Sequence, residues 1–530
     1  MQFHFFHGLS MNEDDSLNDD IHLIENLLKN VISRKPEANR QFFSNLPVII
    51  KEAVKNEKTH LCLIAFILEW CDLGDLVSTK TLVDHFPDLI YRNSSKNVFL
   101  GFLPLLREVI TKCGQAILPE LLNFTDYYKE ICVPKFIKKK TFPFLANYID
   151  SDMFDIAACL FSFFSRLVPE IGDSNISKLI SESEKHIASN FVTMRLSIVD
   201  SFQYLVKYSP DPHDFFSKII LSSLSDKCAY LRTHAIIAAS KHIELIKDPT
   251  PFLELANDSS WKVRFCLVTN IKVFLKAFPE FENMLFTFAR NKDYSYEMRE
   301  SAFYQIDRLF KRLTNLNEAL RCVETALHQK DEALVLSALP LIPKIRSKDP
   351  SIISSISSLI SRFKTSKREN VQLSILKNVV PFIKLTENEK IIVVRWIKSG
   401  LESQDWRNVD SALEAVHCIL DSENSSILND DIFQKVLSRL TDNSFNIRNR
   451  TSIVLITYIT KMGWDFAKEK IMPIVKKVID DSTLDIFQTT IRFYYGINEQ
   501  SPPRDIQKEV EDILHKVDKD KVYLLPKLKE

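Results

Sequence analysis

Apolar residues recur along this chain at three- and four-residue steps, the spacing of one face of a helix. Phe265, Val268, Ile271 and Leu275 form one such stripe, and the same period runs through 61–71, 99–110 and 155–167. The serine-rich stretch 351–361 obeys it too: Ile352, Ile353, Ile356, Leu359, Ile360 and Phe363 share a face, with serines opposite. The pattern predicts helices joined by short turns. Proline near the start of 118–122 and 471–475 fits, because first-turn N–H groups have no partner inside a helix.

The stripes come in register. Asp, four residues, an apolar residue and Arg precede a stripe at Asp226…Arg232, Asp258…Arg264, Asp293…Arg299 and Asp442…Arg448. The arginines lie 32 and then 35 residues apart, and Arg299 to Arg448 is 149, four steps of about 37. Arg195 stands 37 positions before Arg232. Each unit reads as two antiparallel helices, the second starting after an Asp that caps its positive end. One pair cannot bury its own stripe, so neighbours must stack. The expected fold is an all-α superhelix of about fourteen helix-pair repeats, of the HEAT class. Asp226, Arg232, Asp258, Arg264, Asp293, Arg299 and Asp442 are expected to form a structural ladder from repeat to repeat. Residues 1–11 match no repeat and are expected to be a disordered leader, with Met11 an alternative start; Arg504–Lys516 is expected to cap the array.

Composition narrows function further. With 69 basic and 69 acidic residues the chain has no global field to attract nucleic acid or an anionic membrane. Only 8 glycines occur among 530 residues, dispersed, so no phosphate-cradling loop and no nucleophile elbow can be written. The 9 cysteines form no CxxC pair and read as buried free thiols in a reducing compartment; a cytoplasmic and, secondarily, nuclear location is expected. The 12 histidines make no HExxH; His4 and His7 fall in the leader, and His234 and His242 read as ordinary surface or core residues. Lys135 and Lys138–Lys140 could be a nuclear signal or an anion patch, against the blander reading of a solvated helix end. No catalytic centre, metal site or cofactor is expected.

Two turns carry a Trp beside a basic residue: Trp261-Lys262, three before Arg264, and Trp406-Arg407. Trp and Arg are enriched at interface hot spots; the alternative is that each Trp packs on the next repeat's turn.

At these turns the sequence resembles the scaffold (A) subunit of protein phosphatase 2A, a fifteen-repeat HEAT family with Trp-Arg-Val-Arg turns in its seventh and eleventh repeats. Leu255-Ala256-Asn257-Asp258-Ser259-Ser260-Trp261-Lys262-Val263-Arg264 is similar to the first of these, and Trp406-Arg407 to the second. Asp14-Asp15-Ser16-Leu17 with Ile24-Glu25-Asn26-Leu27 resembles the family's opening, and Phe154-Asp155 through Ser162 its fourth repeat. Ile447-Arg448, Lys461, Gly463, Trp464, Phe466-Ala467, Ile471, Pro473 and Thr489-Thr490 resemble its twelfth and thirteenth. The resemblance implies a non-enzymatic, monomeric scaffold within a heterotrimer. Residues 12–387 would hold a variable regulatory subunit, through Arg195, Trp261 and Lys262. Residues 388–530 would hold a Ser/Thr phosphatase catalytic subunit, through Trp406, Arg407 and Arg448. Asn408 stands where the family has Val, and the tail is about one repeat short, which implies an altered grip. The alternative is another HEAT adaptor, such as an importin-β-like nuclear transport receptor.

Overall fold

The computed structural model describes residues 15–35, 37–149, 153–329, 331–350, 352, 356–481 and 492–520; the leader 1–11, with His4 and His7, lies outside them. Every regular element among the described residues is helical. They fall into two compact units, Met1–Pro279 and Glu280–Glu530.

In the first unit the second helices of successive repeats lie side by side: Phe154–Arg166, Val192–Leu205, Ala229–Lys241 and Trp261–Ala277. Against them pack first helices such as Leu118–Ile131, with Pro119 in its opening turn, and Asp173–His186. Aromatic side chains fill the spaces between layers. Phe86, Phe102 and Phe124 meet with ring centroids 4.8 to 5.7 Å apart, and Phe142 and Phe164 at 4.6 Å. All five rings are buried, and each contributes about 1.5–3 kcal/mol through removal from water.

The second unit repeats the arrangement with Tyr296–Leu309, Glu332–Ala338, Glu369–Asn378, Trp406–Leu420 and Phe445–Met462 as adjoining second helices. The first helix Glu387–Glu402 opens with a capping box, in which Thr386 Oγ1 accepts from the Glu389 N–H and Glu389 Oε2 from the Thr386 N–H. Within the serine-rich stretch Ile352, Ile356, Leu359, Ile360 and Phe363 are buried; 351 and 353–355 lie outside the described residues. Arg504–Asp520 is a helix.

One local expectation is corrected. Pro473 does not open an independent helix: Trp464–Phe466 continues through a π-turn, Ala467–Ile471, into Met472–Asp481. His234 lies within Ala229–Lys241, and His242 stands at that helix's C-cap.

Candidate protein-interaction surface

In three of the four repeats that carry the motif its Asp and Arg build the turn, and the Asp is not itself the helix cap. Cys228, Ser260 and Ser444 occupy the cap positions. Asp226, Asp258 and Asp442 stand two residues earlier, and each accepts the cap residue's N–H through Oδ1, at 2.7, 2.7 and 2.9 Å. This is an Asx turn, closed by a short acceptor reaching forward over two residues. The Arg six positions on reaches back to the carbonyl of the same Asp: Arg232 to Asp226 at 2.6 Å, Arg448 to Asp442 at 2.7 Å, and Arg264 to Asp258. That is the physical origin of the six-residue spacing.

Arginines also bridge repeats. Arg195 donates to both oxygens of Asp226 at 2.8 and 3.1 Å, and Arg232 to both oxygens of Asp258 at 2.7 Å. The hydrogen bond to Asp258 is the chief reason the Arg232 guanidinium holds its proton still more tightly than usual. Arg299 breaks the pattern: it donates to the Ala289 carbonyl and to Gln329 Oε1, at 3.2 and 3.0 Å. The carboxylate in its path, Asp331, is turned instead to the N–H groups of Ala333 and Leu334. Asp293 is exposed at its turn, where its own N–H is taken by Asn291 Oδ1.

The residues expected to meet partners therefore separate into two kinds. Arg195 and Arg448 are turn-builders; Arg448 is 4% exposed and belongs with the ladder arginines rather than with a contact surface. Trp261 and Trp406 are the first residues of their helices and are 54% and 46% exposed, with Lys262 and Arg407 exposed beside them. Arg407 lies over the Trp406 ring at 5.1 Å. Asn408, by contrast, ties repeats together, donating to Glu369 Oε2 at 2.7 Å and to Ser403 Oγ at 3.3 Å.

The tryptophans are not alone. In the first unit Met153, Phe191, Val192 and Tyr230 are exposed at the starts of the helices Phe154–Arg166, Val192–Leu205 and Ala229–Lys241. Phe154 and Phe191 stack at 4.2 Å, which binds neighbouring helix starts into one apolar strip. In the second unit Phe445 opens its helix 44% exposed, with the Arg492 guanidinium 5.0 Å from its ring. The signal was present in the sequence: aromatic residues stand two to four positions before the motif Arg at Phe191, Tyr230, Trp261 and Phe445. Attention to tryptophan alone passed over three of the four.

Among the described residues no group of three His, Cys, Asp or Glu could hold a metal, and no helix is long and apolar enough to cross a membrane. A shallow cleft of about 300 Å³ joins Glu387, Lys390 and the exposed Ile391 to Ser426 and Ile427. Its two charged groups are spent on each other at 2.7 Å.

No family model and no curated relative matches this chain. Solved structures do. An importin β structure aligns with a TM-score of 0.57 at 11% identity, covering 99% of this chain and 71% of that one. Kap95p with RanGDP gives 0.51 at 11%, covering 98% and 75%, and Kap121p bound to Nup53p gives 0.51 at 13%, covering 94% and 56%. This chain thus spans little more than half of the Kap121p chain. The fold is an all-α superhelix of HEAT-type repeats.

Proposed function

We propose that this chain is a non-enzymatic scaffold that binds other proteins along the helix starts of its repeats. One observation carries this: bulky aromatic residues stay half exposed at Phe191, Tyr230 and Trp261 in one unit and at Trp406 and Phe445 in the other. The stacks beneath them are closely packed, and large apolar side chains left in water in a row mark an interaction surface.

The finer reading rests on the collinear likeness to the protein phosphatase 2A scaffold. It gives residues 12–387 a variable regulatory subunit, through Trp261 and Lys262. It gives residues 388–530 a phosphatase catalytic subunit, through Trp406 and Arg407. A monomeric scaffold of a heterotrimer, working in the cytoplasm and nucleus, would raise each partner's effective concentration for the other without new chemistry. The fold likeness to importin β and Kap121p favours a second reading, a transport receptor.

Affinity capture with mass spectrometry separates them. A Ser/Thr phosphatase catalytic chain, lost on Trp406→Ala with Arg407→Ala at unchanged circular dichroism, supports the first. Recovery of a Ran-type GTPase or basic cargo instead would replace it with the second, and capture untouched by the substitutions would remove this site.

A further inference from the structure

In two further turns a serine stands where the motif has its Asp. Ser189 Oγ accepts the Phe191 N–H at 3.2 Å, and its carbonyl accepts from Arg195, six positions on, at 2.5 Å. Ser366 Oγ accepts the Arg368 N–H at 3.1 Å, and its carbonyl accepts from Gln372, again six positions on, at 2.8 Å. These are the two bonds that Asp226, Asp258 and Asp442 make, with a neutral hydroxyl in place of the carboxylate. Each of those carboxylates is met by an arginine: Arg195, Arg232 and, at 2.9 Å, Arg439.

The surroundings of Ser366 are those of an anion. Lys364, Lys367 and Arg368 are exposed within its turn, and Arg395 reaches in from the helix Glu387–Glu402 to the Lys364 carbonyl at 3.2 Å. Lys364 and Lys367 enter no ion pair among the described residues, and Arg368 stands 3.7 Å from Glu332. The nearest carboxylate in sequence, Glu369, is drawn away to Asn408 and Ser399, at 2.7 and 3.3 Å. The cations are in place and the charge they would meet is missing. Ser189 has no such setting: Asn190 and Phe191 follow it, and Lys185 before it pairs with Glu182 at 3.5 Å.

We propose that Ser366 is a phosphorylation site for a Ser/Thr kinase that selects basic sequences, and that the phosphate fastens this turn as Asp does in other repeats. In the transfer Ser366 Oγ bonds to the γ-phosphorus of ATP, the bond from that phosphorus to the bridging oxygen breaks, ADP leaves, and the hydroxyl proton passes to the kinase's base. Kinases discriminate substrates by charge pattern, and Arg362, Lys364, Lys367 and Arg368 all lie within four residues of the acceptor. The product carries a charge of about −1.5 to −2 and three strong acceptor oxygens. These can take the Arg368 N–H and the Lys364 and Lys367 ammonium groups at the start of the helix Glu369–Asn378. The inference goes beyond the scaffold reading and holds whichever partner is bound.

The test treats the full chain with ATP and the catalytic domain of a protein kinase C, which takes basic residues on both sides of its acceptor, and maps the phosphate by mass spectrometry. We expect phosphate on Ser366 and none on Ser189, with several-fold less on Ser366 in Lys364→Gln with Lys367→Gln. Amide exchange at 368–372 should then slow by about tenfold in the phosphorylated chain, the effect of replacing a neutral acceptor by a charged one. Ser366→Asp, which needs no kinase, should slow it in the same direction but less. Circular dichroism monitors folding of the variants. No phosphate on Ser366, phosphate on Thr365 instead, or equal phosphate on Ser189 would overturn the site. Exchange unchanged or faster after phosphorylation would overturn the fastening of the turn.

Discussion

Arg232 holds Asp258 of the following repeat through two parallel bonds of 2.7 Å, and its remaining nitrogen donates to the Asp226 carbonyl of its own turn at 2.6 Å. One guanidinium thus fixes a turn and ties it to the next. The two side chains are 11% and 6% exposed. Asp258→Ala should cost about 3–5 kcal/mol, because a buried cation is left unpaired. Asp258→Asn should cost less, since its carbonyl can still accept from the Ser260 N–H. Urea unfolding of the two variants checks the order; a loss under 1 kcal/mol for Asp258→Ala would show that the pair is not structural.

Arg448 and Arg407 provide a contrast between folding and surface roles. Arg448 is buried and braces the carbonyls of Asp442 and Asn443, whereas the Arg407 side chain is 73% exposed. Arg448→Ala should lower the melting temperature by several degrees. Arg407→Ala should leave stability within about 0.5 kcal/mol. Differential scanning fluorimetry distinguishes them, and equal melting temperatures would undo the separation.

How far these roles were legible in the sequence follows from what each depends on. The Asp/Arg spacing depends on backbone reach within a turn, so it was written in plain order at Asp226–Arg232 and Asp442–Arg448. Which arginine bridges repeats depends on where the next carboxylate points. The sequence does not show that Asp331 turns away from Arg299 to its own helix. Exposure at a helix start is likewise set by the neighbouring repeat: Phe154 is half-buried between the Phe191 ring at 4.2 Å and the His186 ring at 6.5 Å, whereas Phe191 stays exposed.

Glu282 is a second buried charge with a defined task. It is 4% exposed, and its two oxygens accept from the N–H of Thr314 at 2.9 and 3.1 Å, from Thr314 Oγ1 at 2.8 Å and from the Asn315 N–H at 2.6 Å. It thereby fixes the turn that begins the helix Leu316–Leu327. Glu282→Gln, which keeps one acceptor, should cost about 1–2 kcal/mol and Glu282→Ala about 2–4. Faster amide exchange confined to 314–320 is the expected sign; unchanged exchange there would deny the role.

Gly400 marks the closest approach of three helices. A Cβ added to it would stand 2.6 Å from Leu373 Cδ2 and 2.8 Å from Ala412 Cβ. The leucine can swing aside, but the alanine is fixed to the backbone of Trp406–Leu420. Alanine is the better helix former by about 1 kcal/mol, yet overpacking costs about 1–3, so Gly400→Ala should destabilise. Ala412→Gly should restore part of the loss in the double variant. Additive effects in a double-mutant cycle would mean that the two residues do not compete for space.

His60 makes stability depend on pH in one direction. Its ring is buried in the helix Glu57–Trp70, Nε2 lies 2.6 Å from the Leu89 carbonyl, and the Tyr91 ring is parallel at 6.3 Å. A carbonyl only accepts, so Nε2 carries the proton and the neutral ring satisfies the bond. Burial disfavours the imidazolium and holds the pKa below its ordinary value, against the raising effects of that bond and of Glu57. The unfolded chain, with a pKa of about 6.5, therefore binds a proton before the native state does. Above that pH both forms are neutral and His60 adds no slope. As pH falls through about 6.5 toward 5, the unfolded state gains protons first and stability declines, at most about 1.4 kcal/mol per pH unit. His60→Gln keeps an N–H for the Leu89 carbonyl but cannot titrate. The difference in unfolding free energy between wild type and this variant, measured by urea melts from pH 7.5 to 5, isolates His60 from the other histidines. It should shift against the wild type as pH drops, and a pH-independent difference would show that the imidazole titrates alike in both states.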